Sequence, residues 1–275
     1  MIHYLVFNLI IAHILGDFYL QTNKSCENKF LYKLKGKSLW LHSLLIGALS
    51  WISIWDIRGW WLAVIIMLIH FLTDWFKSCL QAKMGVLAIN DKNEVVPGNN
   101  KRIDIVIFLI DQIVHVAILI VGAYVWFYMN NDWMQQDCLR EFIINHPLWA
   151  KTFVALLLVL KPANILILLI LETCMVKVPP QESNAHENML KVPSQESNAH
   201  ENFRSGALIG WLERALILVF VIMSQYEAIG FLIAAKSILR FSETSKGDVK
   251  SEYVLTGTLL SLTIALFLGI LVLHF

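Results

Sequence analysis

His13-Ile14-Leu15-Gly16-Asp17-Phe18-Tyr19-Leu20-Gln21 is the stretch on which the reading of this chain turns. It closes an apolar segment, 2–20, that is long enough to cross a bilayer. A His and an Asp four residues apart share one face of a helix. Hydrocarbon is a costly place for either group, so the pair points to a functional site with partners on other helices. Pairs at the same spacing recur at His70/Asp74 and Asp111/His115, and a further apolar segment supplies His42.

The composition around these residues excludes a soluble domain. The chain has 275 residues, 57% hydrophobic and only 16% charged, with mean hydropathy +0.61. That is too little charge for a water-facing surface. The apolar runs are long and do not alternate, so they read as membrane helices rather than as strands of a transmembrane barrel. Cys26, Cys79, Cys138 and Cys174 are scattered, which predicts neither a disulfide framework nor a cysteine zinc site. The N-terminus lacks a basic region and a small-residue cleavage site, so the first segment is expected to stay as a membrane helix. A net charge of +1 gives no reason to predict a nucleic-acid partner.

The expected fold class is all-α, a polytopic transmembrane helical bundle with about eight membrane segments. They run roughly over 2–20, 38–56, 59–80, 103–129, 148–172, 205–223, 226–241 and 253–274. The seventh is short for a crossing and reads as tilted or re-entrant. Lys24, Lys29, Lys33, Lys35 and Lys37 fill loop 21–37, and Lys77, Lys83, Lys92, Lys101 and Arg102 fill loop 77–102. The alternate loops 56–58 and 130–147 carry Arg58 and Arg140 alone. The positive-inside rule then puts both termini outside a bacterial inner membrane. Trp51, Trp55, Trp60, Trp61, Trp126, Trp133 and Trp149 are expected to form a belt at the outer interface.

Between 173 and 204 the chain changes character. Lys177-Val-Pro-Pro-Gln-Glu-Ser-Asn-Ala-His-Glu-Asn-Met-Leu190 is followed by a near copy, Lys191-Val-Pro-Ser-Gln-Glu-Ser-Asn-Ala-His-Glu-Asn202. This polar tandem reads as a cytoplasmic linker that tolerates insertion, although His186 and His200 could be taken for metal ligands. It divides the chain into a five-segment domain, 1–172, the linker 173–204, and a three-segment domain, 205–275.

Orientation brings the ionisable residues to one level. Segments 1 and 3 run inward with His before Asp, segment 4 runs outward with Asp before His, and His42 sits one turn into segment 2. His13, Asp17, His42, His70, Asp74, Asp111 and His115 then fall within one slab of a bundle core, where metal sites are built. Imidazole with carboxylate suits a divalent transition metal, Zn²⁺, Mn²⁺ or Fe²⁺. Four His and three Asp fit two ions, or one ion with Asp partners orienting the rings. The plainer reading leaves Asp17 and Asp74 at helix ends and His42 as a hydrogen-bonded helix residue. Glu213 with Lys236 reads as an ion pair between antiparallel helices, while Arg214, Lys236 and Arg240 read alternatively as an anion pocket. Pro162 beside Lys161 frees a backbone carbonyl, and Gly206, Gly210, Gly230 and Ala234-Ala235 fit close helix packing.

These residues carry a resemblance to the bacterial membrane-protein family DUF3307. Its N-terminal pattern stands here as His13-x-x-Gly16-Asp17-Phe18-x-Leu20-Gln21-Thr22, Lys29, His42, His70-Phe71-x-x-Asp74-x-x-Lys77-Ser78 and Leu109-x-Asp111-Gln112-x-x-His115. Ile209-Gly210-x-Leu212-Glu213-Arg214, Gln225-Tyr226-Glu227-Ala228-Ile229-Gly230-Phe231, Ala235-Lys236-Ser237 and Gly257-Thr258 look like members too. Such proteins often carry a second His one turn after the first in segment 2, where Ile46 stands here. The resemblance implies the fold and the residue set but no activity. The layout is also similar, by analogy only, to membrane-bound metal-dependent hydrolases.

The function expected from these residues is a metal-dependent hydrolase with an intramembrane site open to the cytoplasm. Asp17, Asp74 and Asp111 are the candidates for acid–base work, and Arg214, Lys236 and Arg240 for holding an anionic lipid or lipid-linked substrate. The alternatives are a proton or metal-ion transporter built on the same cluster, and an effector protein whose polar core only fixes helix register. Homo-oligomerisation is compatible with all of them.

Overall fold

The computed structural model describes residues 2–90, 93–98, 100–130, 147–174, 195–241 and 248–274, with side chains at all of these except 174, 195–207, 239–241 and 248–254. It is almost wholly helical. In order come α1 (Ile2–Ile14), continued by a π-helical turn over Leu15–Leu20, then α2 (Asn23–Tyr32), α3 (Lys37–Ile54) and α4 (Trp60–Lys83). A hairpin, β1 (Leu87–Ile89) and β2 (Val95–Pro97), is followed by α5 (Lys101–Met129), α6 (Pro147–Cys174), α7 (Gln195–Ile222), α8 (Tyr226–Phe241) and α9 (Asp248–His274).

Six helices among the described residues are long and apolar enough to span a membrane: Ile2–Leu20, Lys37–Ile54, Ile57–Lys83, Lys101–Met129, Pro147–Thr173 and Leu255–His274. The sixth and seventh expected segments are helical, as parts of α7 and α8, but are not among the six. α8 has 16 residues, about 24 Å of helix against roughly 30 Å of hydrocarbon. Wide apolar exposure on the spanning helices, with Leu41, Leu68, Leu72, Ile113 and Val121 all open, is what a lipid environment requires.

The chain divides into two compact units, Met1–Ala150 and Lys151–Phe275. The division falls at the start of the fifth segment rather than after 172. Within the second unit, Ala155 and Val159 of α6 join Leu218 of α7 and Val272 of α9 in one core, which is why 148–172 groups with the C-terminal helices. The span 175–194, with most of the tandem repeat, lies outside the described residues, and α7 takes up the rest from Gln195.

In the first unit α1, α3, α4 and α5 form the bundle, with α2 and the hairpin at one end. Thr22 starts α2 as a cap, its hydroxyl accepting from the Ser25 amide at 3.3 Å. Tyr4, Leu5, Leu9, Ile54, Leu62, Ile66, Leu119, Ala123 and Trp126 pack into an apolar core. Here the aromatic expectation needs correction. Trp51, Trp55, Trp60 and Trp149 are exposed as a belt would be, but Trp126 is fully buried, its ring 5.7 Å from that of Trp61. Trp133 lies outside the described residues.

Close helix approach also falls elsewhere than expected. A Cβ on Gly230 would meet nothing within 4 Å among the described residues, whereas one on Gly47 would stand 2.9 Å from the Met67 Cβ. Gly47 is thus where α3 and α4 come together.

Candidate metal centre

Four helices meet around the ionisable residues of the first unit. α1 contributes His13, its π turn Asp17, α3 His42, α4 His70 and Asp74, and α5 Asp111 and His115. A π turn widens the helix by one residue, a distortion that recurs at functional sites. Here it carries Asp17 beside α3, with Gly16 against Ile46, where any side chain on residue 16 would collide. Ile46 is itself buried, so α3 offers His42 as its one imidazole to the cluster. Asp17 does lie in the turn that closes its helix, but all seven side chains are at most 8% exposed, so none is solvated there.

The tightest grouping joins three helices. Asp17 Oδ1 lies 3.2 Å from His42 Nε2 and 3.4 Å from His70 Nε2, and the two imidazole nitrogens face each other at 3.0 Å. Asp17 Oδ1 is buried, yet makes no hydrogen bond among the described residues. Around a tetrahedral ion with bonds of about 2.0–2.2 Å, ligand atoms stand roughly 3.3–3.5 Å apart. The triangle's edges of 3.0, 3.2 and 3.4 Å come to or just under that spacing, and the 3.0 Å edge is itself a hydrogen bond between the two rings. Asp74 Oδ2 stands beside it, 3.7 Å from His42 Nε2 and 3.8 Å from His70 Nε2.

A second grouping adjoins it. The His115 ring lies 4.2 Å from that of His70 and 5.2 Å from that of His13. His13 Nδ1 is 3.8 Å from Asp17 Oδ1, and His115 Nδ1 is 3.7 Å from Asp111 Oδ1. Donor atoms of His13, Asp17 and His115 all lie within 4.8 Å of one another, as do those of His70, Asp74 and His115.

Two lysines belong to this cluster and overturn part of the loop reading. Lys29 Nζ donates to Asp74 Oδ2 at 2.5 Å, and Lys77 Nζ to Asp111 Oδ2 at 2.8 Å. Lys29 is as buried as the carboxylate it meets, so neither lysine serves as a free charge of a cytoplasmic loop. Buried carboxylates require a counter-charge, and charge counting by loop cannot tell such a lysine from a solvated one. Gln21, in the amide orientation that satisfies both its atoms, accepts from Lys29 at 2.7 Å and donates to the Asp17 carbonyl at 3.1 Å. Thr73 meets His115 Nε2 at 2.7 Å, and Gln112 meets His13 Nε2 at 3.4 Å. Lys29, Lys77, Gln21 and Gln112 all stand in the pattern of residues that carries the family resemblance, which was the signal available for them.

The basic residues of the second unit have other partners. Arg214 is 2% exposed and donates through Nε to the Val159 carbonyl at 2.7 Å. It also reaches the Leu160 carbonyl at 3.3 Å and Ser261 Oγ at 3.3 Å. These carbonyls lie in the turn just before Pro162, where the proline removes a helical hydrogen bond, so the arginine ties α7 to α6 at that turn. Lys236 pairs with Glu213 at 2.5 Å, as the ion-pair reading expects. Both line a largely apolar cavity of about 210 Å³ with Ser237, Thr258 and Ser261. The Arg240 side chain lies outside the described residues.

No curated protein and no solved structure matches this chain. A family model does: protein of unknown function, DUF3307, over residues 5–143. The match spans the His/Asp cluster and its two lysines, and this chain belongs to the DUF3307 family.

Proposed function

We propose that the protein is a membrane-embedded, metal-dependent hydrolase whose ion is held by Asp17, His42 and His70. The observation that carries this reading is their triangle of donor atoms, with edges of 3.0, 3.2 and 3.4 Å, closed on a carboxylate oxygen that has no hydrogen bond among the described residues. Three protein ligands with one position open is the arrangement of catalytic zinc, which polarises a bound water enough to ionise near neutral pH. Asp74 Oδ2 lies 3.7 Å from His42 Nε2 and 3.8 Å from His70 Nε2, so Asp74, paired with Lys29, would be the group to take the water's proton. An ion held by Asp17, His42 and His70 would supply an activated water for attack on a phosphoester, with the bond to the alcohol broken and the water's proton passed by Asp74 to the leaving oxygen.

Charge supports an anionic substrate. Three carboxylates face two ammoniums, and a divalent ion would turn the excess negative charge of these groups into an excess positive one. Lys77, a quarter exposed, is the group nearest the surface for receiving a phosphate head. The bilayer around the site makes a lipid phosphoester, entering from the cytoplasmic leaflet of a bacterial inner membrane, the natural substrate class. Eight crossings with both termini outside belong to the same proposal.

A transporter needs a polar path to both faces. The apolar core built on Leu5, Leu9, Leu62, Leu119 and Trp126 supports a one-sided site instead. The test is metal content. Protein purified without added metal retains at least one equivalent of transition metal per chain, and Asp17→Asn or His42→Ala lowers its affinity tenfold or more. Absence of stoichiometric metal overturns the reading, and liposome flux that depends on the same residues would put transport in its place.

A further inference from the structure

We infer that the centre takes two divalent ions, with Asp17 shared between them and His13 and His115 completing the second position. This rests on the metal reading above and deepens it. The hydrogen bonds around His13 and His115 fix which nitrogen of each ring is free. The Gln112 amide nitrogen donates to Asp111 Oδ2 at 3.1 Å, which leaves Oε1 as the end that accepts from His13 Nε2. The Thr73 hydroxyl donates back to the carbonyls of Ile69 and His70, at 3.1 and 2.9 Å. Its oxygen therefore accepts from His115 Nε2. With each Nε2 tied to an outer acceptor, Nδ1 is the nitrogen of each ring left facing inward, held in the way metal-ligating histidines are held.

Those nitrogens look at carboxylate oxygens. His13 Nδ1 faces Asp17 Oδ1 at 3.8 Å, and His115 Nδ1 faces Asp111 Oδ1 at 3.7 Å. The distances are too long for hydrogen bonds. His115 Nδ1, like Asp17 Oδ1, is buried without any hydrogen-bond partner among the described residues. Acceptors gathered this way in a buried place lack a donor, and a cation supplies what they lack. The Asp17 carboxylate is shared between this set and the His42/His70 set. A bridging carboxylate places two ions about 3.5–4 Å apart, the spacing that clamps both the attacking and the leaving oxygen of a phosphoryl group. Two ions would leave the pocket strongly positive despite Asp17, Asp74 and Asp111, which selects phosphate esters over neutral esters or amides.

The full chain, stripped by a chelator and titrated with Mn²⁺, tests the inference by stoichiometry and by electron paramagnetic resonance. Two equivalents per chain with an exchange-coupled spectrum are expected. His115→Ala should bind one equivalent with an uncoupled six-line signal, and Thr73→Val should weaken the second equivalent about tenfold or more while keeping the first. One equivalent in the unaltered chain, or two uncoupled ions, overturns the second position and leaves the single-ion hydrolase standing. A coupled pair surviving in His115→Ala also overturns it. No binding at all overturns both.

Discussion

Lys29 sits at 6% exposure among groups of both signs, and its worth depends on what happens to Asp74 without it. Removing one partner of a buried ion pair leaves the other charge desolvated and unmatched, at a cost of about 3–5 kcal/mol. Lys29→Met should therefore lower the stability of the detergent-solubilised protein by about that amount. Lys29→Met with Asp74→Leu should recover most of the loss, because no unmatched charge remains. Thermal unfolding of the single and double variants gives the comparison. A single variant as stable as the unaltered chain would show that Lys29 and Asp74 are not held together. Gln21 and Gln112 act at the same scale by tying Lys29 and His13 in place.

Among the elements, the contact of α3 with α4 at Gly47 sets how closely His42 and His70 face each other. A methyl group there would stand 2.9 Å from the Met67 Cβ, an atom fixed by its own backbone. Gly47→Ala should cost about 1–3 kcal/mol by overpacking and weaken ion binding by separating the two imidazoles. Unchanged metal affinity in that variant would detach the site from this helix contact. The i, i+4 spacing of His13/Asp17, His70/Asp74 and Asp111/His115 was readable because helical periodicity alone puts each pair on one face. The π turn at Leu15–Leu20 was not, since nothing in residue identity distinguishes it from an ordinary turn. Trp126 likewise reads as an interface residue from its place near the end of an apolar segment. Only its packing against Trp61 and the α1 core shows otherwise.

Across the whole molecule, the family match ends at residue 143 and the first compact unit at Ala150, so family membership and the His/Asp cluster share one unit. The sequence division after 172 followed the polar repeat, a strong compositional signal. The pairing of α6 with α7 and α9 is instead a matter of which apolar faces meet, and that has no marker in composition. In the second unit Arg214 ties α7 to the turn of α6 before Pro162. Arg214→Met should therefore lower thermal stability while leaving the ion affinity of the first unit unchanged. A parallel fall in ion affinity would give Arg214 a part in the site. The account stands on an ion seated between Asp17, His42 and His70, and X-ray absorption at the zinc edge of the zinc-loaded protein addresses that seat directly. Nitrogen and oxygen neighbours at about 2.0–2.1 Å with the outer-shell pattern of imidazole are expected, and the imidazole pattern should weaken in His42→Ala. A spectrum of oxygen neighbours alone, or one with a sulfur shell at about 2.3 Å, would contradict it.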